Sequence, residues 1–177
     1  MIAGASLTEA RERARPLLSE AARYRLGFAD QQTRIMWAGY VADSLRELQQ
    51  QDPESCYLMI SGAAPDAGGS SLSAENTRAF HAALIRLYES SDRSMRRERA
   101  STDVPADFNA AQREFAAIKE ELTGRYGAEV ASAVTDRTFE NPPASAATMC
   151  RARISQLEAI LRRPQGEAAM LVGNALR

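Results

Sequence analysis

The sequence predicts an all-α fold, an antiparallel helical bundle of six to seven helices, four of them long. Three observations carry this. Alanine is the commonest residue, with Leu, Arg, Glu and Gln also frequent, and all are strong helix formers. Apolar residues recur at spacings of three and four along most of the chain, the period of a single helix face. No segment reads as a convincing strand: Val130 to Val134 comes nearest, and its alanines favour helix. The length of 177 residues suits a single domain over 1–177, with a flexible loop at 62–72 and a polar break at 100–105.

Each element follows from local signals. Ser6 and Glu9 form a capping box for a first helix, whose stripe runs through Leu7, Ala10, Ala14, Leu17, Ala21 and Tyr24. Pro16 kinks or restarts it, and Gly27 stops it. Asp30 to Gln50 is the strongest helix. Ile35, Ala38, Val41, Ala42, Leu45 and Leu48 form its stripe, and Met36, Trp37 and Tyr40 widen it, which places this helix at the centre of the bundle. Asp52, Pro53 and Glu54 start a short helix that ends before Gly62. Ser73 caps the next, which buries Phe80, Leu84, Leu87 and Tyr88 and extends to Met95 or Arg99. A further helix from Ala106 ends at Gly124, and a short one spans Ala128 to Thr135. After the stiff Asn141-Pro142-Pro143 connector, Ala147, Cys150, Ile154, Leu157 and Leu161 mark the last long helix. A terminal short helix runs from about Glu167 to Leu176.

The net charge is -1, so no global field draws the chain to nucleic acid or an anionic membrane. Lys119 is the only lysine, a bias that a GC-rich genome explains. No apolar run is long enough to span a membrane. Met1 to Ser6 is too short and weakly apolar for a secretory signal, and the start has a truncated look.

Few residues offer chemistry. Cys56 and Cys150 stand 94 positions apart. A disulfide between them would restrict the unfolded chain by roughly 4–5 kcal/mol in the chain-entropy model. Otherwise they are two buried thiols packing as small hydrophobes. A bond would imply a periplasmic or secreted location rather than the cytoplasm. His81 is the only histidine and cannot make a metal site alone. Glu9, Glu12, Glu120 and Glu121 read as solvated helix faces, Glu140 lies in a connector, and no Glu-x-x-His pair exists for a di-metal bundle. Gly68-Gly69-Ser70-Ser71 lacks the lysine and preceding strand of a phosphate loop. Arg93, Arg96, Arg97 and Arg99 form the densest basic run, diluted by Asp92 and Glu98.

The sequence implies no cofactor and no metal ligands. Its functional reading is a non-enzymatic protein-protein interaction module: the extracytoplasmic part of a tethered or secretion-associated bacterial protein, or an inhibitor. Arg34, Trp37, Tyr40, Arg93, Arg96 and Arg97 are the candidate interface residues, because Trp, Tyr and Arg suit interface anchors. This reading expects a surface apolar patch and no polar cleft. Two alternatives stand beside it: a small-ligand or catalytic pocket near His81, and a regulator touching nucleic acid through Arg93–Arg99. The partner and the oligomeric state stay open.

Overall fold

In the computed structural model, residues 21–62, 72–98 and 108–176 are described, the side chains of 97, 98 and 108–111 excepted. The described residues form eight helical segments, one more than the six to seven expected because each short segment stands as its own helix, and no strand, so the fold is all-α. They are α1 (21–26), α2 (Gln31–Gln51), α3 (Pro53–Ser61), α4 (Ala74–Glu98), α5 (Phe108–Tyr126), α6 (Ala128–Asp136), α7 (Ala146–Leu161) and α8 (Gln165–Ala175). Four of these are long: α2, α4, α5 and α7. The capping box at Ser6–Glu9, the Pro16 kink, residues 63–71 of the expected loop and the break at 100–105 lie outside the described residues.

The caps follow the sequence signals. Asp30 caps α2 by accepting from the Thr33 N–H at 2.8 Å. Asp52 caps α3 through Glu54 and Ser55, with Pro53 in the first turn, and α3 ends at Gly62 in the left-handed region. Ser73 accepts from the Asn76 N–H at 3.2 Å to open α4. One boundary moves. The helix expected to end at Gly124 runs on to Tyr126, and Gly127, at φ 88°, marks the turn into α6. Gly124 is helical, whereas Tyr126 packs on the core and bonds Ser155 at 2.8 Å, which holds the extra turn in place.

α2 packs against α3, α4, α7 and α8, as its broad apolar surface predicts. α7 is nevertheless the most enclosed element, packing against α2, α3, α5, α6 and α8. Ten of its 16 residues are buried, against six of 21 in α2. Small residues on several sides of α7, among them Ala152, Ser155 and Ala159, let neighbours approach closely. The exposed residues of α2 are glutamines at its two ends and Asp43.

α2 and α4 run antiparallel in a regular register. Asp30 meets Ser90, Met36 meets Arg86, Tyr40 meets Phe80, Ser44 meets Asn76 and Glu47 meets Ser73. α1 is tied to the same helix: Arg25 donates to Ser91 at 3.0 Å, pairs with Asp92 and lies 4.0 Å over the Tyr88 ring.

Candidate interaction surface on the α2–α4 seam

The antiparallel register brings side chains from distant parts of the sequence onto one seam. Trp37 and Tyr40, one turn apart on α2, both meet Phe80 of α4, with ring centroids 6.2 and 5.6 Å away. The two α2 rings lie 5.8 Å from each other. All three are half-buried, so an aromatic layer is partly open to solvent. His81 is exposed and its ring sits 5.8 Å from Phe80.

Toward the start of α2, the seam opens into a cleft of about 220 Å³ lined by Asp30, Gln32, Thr33, Met36, Arg86, Glu89 and Arg93. Met36 is one turn from Tyr40, so the cleft adjoins the aromatic layer. Asp30 is largely occupied by structural duties. Burial pushes its carboxyl up, but the hydrogen bonds from Thr33 and Ser90, with Arg93 nearby, together hold it below its ordinary value. The Arg93 guanidinium stands 4.0 Å from it, at the limit of an ion pair. Arg86 reaches the Met36 sulfur at 3.9 Å. The expectation of no polar cleft therefore does not hold: the polar register positions at the seam's end leave a charged groove beside the aromatics.

The candidate residues divide. Trp37, Tyr40 and Arg93 share this seam. Arg34 is turned elsewhere: it donates from Nε to the Ala29 carbonyl and from Nη2 to the Gly27 carbonyl, each at 2.8 Å, closing the end of α1. A methyl group at Gly173 would meet the same guanidinium at 3.4 Å, so it also lies across α8. Arg96 is exposed, and the Arg97 side chain and Arg99 lie outside the described residues. His81 does not line the cleft. Of the carboxylates, Glu120 and Glu140 are exposed, and Glu121 pairs with Arg162 at 2.7 Å.

Sequence reasoning missed Arg86, Glu89 and Ile85. Ile85 carried a signal, since it falls off the stripe of Phe80, Leu84 and Leu87, and it is 60% exposed.

The chain matches no family model, no curated protein and no solved structure.

Away from the seam, Cys56 of α3 and Cys150 of α7 are both fully buried and stand at disulfide distance, with their Cα atoms 6.0 Å apart. Arg153 of α7 is also buried. It donates from Nη2 to the Ala175 carbonyl at 2.9 Å, at the C-terminus of α8, and from Nη1 to the Gln156 side chain. Desolvation, with Arg137 adding repulsion, lowers its pKa to about 10. It forms no ion pair among the described residues and stays charged at neutral pH. No described helix is long and apolar enough to cross a membrane.

Proposed function

We propose that this chain is a non-enzymatic protein-binding module acting outside the cytoplasm, and that its partner docks along the α2–α4 seam. The half-buried layer of Trp37, Tyr40 and Phe80, bordered by Met36, Arg86 and Arg93, carries the proposal. Aromatics, Met and Arg are the residues that interfaces enrich, and a partner covering them would bury both rings and guanidinium stems. The disulfide-distance pair supports the compartment, because such bonds persist in oxidising surroundings. A tethered or secretion-associated protein, or an inhibitor, would use such a face.

The test is site-specific photo-crosslinking in the native host. A photoreactive residue at Tyr40 should give a discrete adduct with a second protein, and the same residue at exposed Glu129 on α6 should not. Arg86→Ala and Arg93→Ala should weaken the Tyr40 adduct. Equal adducts from both positions, or none from Tyr40, would overturn the seam. For the compartment, intact mass with and without reductant should show a shift of two hydrogens in protein isolated without reductant. Two free thiols would reject the oxidising location.

A second reading, small-ligand binding, rests on the charged cleft itself. At about 220 Å³ the cleft is smaller than ordinary ligand sites, which begin near roughly 300 Å³. That size favours a partner's side chain over a free ligand.

A further inference from the structure

We propose that the outer face of α4 is self-complementary and pairs, antiparallel, with α4 of a second copy of this chain. α4 is the longest described helix, with 25 residues, and its extensive packing is against α2. On its far side Arg78, Ala82, Ile85 and Glu89 follow at spacings of four, three and four, which places them on one stripe. All four are exposed. The stripe reads cation, methyl, branched apolar side chain, anion.

Its ends are electrostatically unspent. Neither Arg78 nor Glu89 enters an ion pair among the described residues, and Arg78 donates from Nε to the Ala74 carbonyl of its own helix at 3.3 Å. A two-fold axis requires a patch that complements itself. Reversing this stripe upon itself sets Arg78 of each copy against Glu89 of the other. It also seats each Ile85 against the small Ala82 opposite, where a branched side chain has room. One turn outward, exposed Glu75 comes beside Arg93 of the second copy. A parallel pairing would set like charge against like.

From Arg78 to Glu89 the stripe covers about 16 Å at the α-helical rise. The contact is therefore at the small end of specific interfaces, and the dimer forms and dissociates with concentration. The same 16 Å keeps Arg78 and Glu89 of one chain from reaching each other. This face is centred away from the seam; Glu89 and Arg93, which also edge the cleft, are common to both. It does not depend on the seam binding a partner.

Sedimentation equilibrium from micromolar to millimolar concentration tests it. The wild-type chain should dimerise reversibly and more weakly in high salt. Arg78→Glu and Glu89→Arg, each checked for retained helix by circular dichroism, should each weaken the dimer about tenfold or more, because each sets like charges opposite twice. The combined Arg78→Glu/Glu89→Arg chain should return to within about threefold of wild type. A monomer throughout, a dimer indifferent to both reversals, or a double variant as weak as the singles would each overturn the proposal.

Discussion

Glu47 shows how one side chain can fix the start of another helix. From α2 it accepts the Ser73 N–H at 2.5 Å, the Ser73 hydroxyl at 3.2 Å and the Asn76 amide at 2.5 Å. The Asn76 hydrogen bond first, then the Ser73 N–H, hold its carboxyl below the ordinary value of 4.5. Because the folded value lies below the unfolded one, this contribution is fully present above the unfolded pKa and is lost as pH falls through the folded one. Glu47→Gln should therefore lower the urea midpoint at pH near 7, and the difference from wild type should shrink below about pH 4. A difference equal at both pH values would show that charge plays no part. Arg153 poses the opposite problem, a buried cation held by neutral acceptors. Arg153→Met would leave the buried Gln156 oxygen without its donor and should cost about 1–3 kcal/mol. Adding Gln156→Leu removes that orphan and should recover much of the loss in chemical denaturation. If the second change deepened the loss, the Gln156 oxygen would not be its source.

At the scale of elements, α3 depends most on what it is tied to. It has nine residues, fewer than an isolated helix needs, and Cys56 is its one buried residue. Tyr57 adds a hydrogen bond from its hydroxyl to the Phe139 carbonyl. The paired Cys56→Ala/Cys150→Ala chain should lose roughly 4–5 kcal/mol by the chain-entropy model. In hydrogen exchange its earliest loss of protection should fall in Pro53–Ser61, while α7 stays protected. Uniform loss across both helices would mean that the pair stabilises the fold without specifically anchoring α3. Most elements were legible in the sequence because capping is local chemistry: Asp52 and Ser73, read as caps, each stand immediately before a helix, whereas Asp30 proves to cap α2 instead of belonging to it, and Ser145 is a cap that sequence reasoning passed over. Gly124 misled because glycine signals a stop only where the backbone turns left-handed. Whether it does so depends on the fit of Tyr126 against α7.

For the whole molecule, what the sequence left out is what depends on register. The stripes show that α2 and α4 each bury a face, but not that Tyr40 would stand opposite Phe80 and Met36 opposite Arg86. That pairing creates the seam, and it also explains why Arg34 leaves it: the end of α1 and the surface of α8 converge on that side of α2. α2 reads as central because its large apolar residues are conspicuous, yet the most enclosed helix is α7, where small residues admit neighbours on several sides. The 94-residue span between Cys56 and Cys150 also has a meaning in time. At about 5–20 residues per second, Cys56 is synthesised on the order of ten seconds before its partner. During that interval the surface of α2 that α7 and α8 will cover has nothing to close on, and a bare thiol sits two residues after Glu54. The stapled architecture thus makes the nascent chain vulnerable to wrong partners until α7 and α8 are made, a demand on its handling during synthesis.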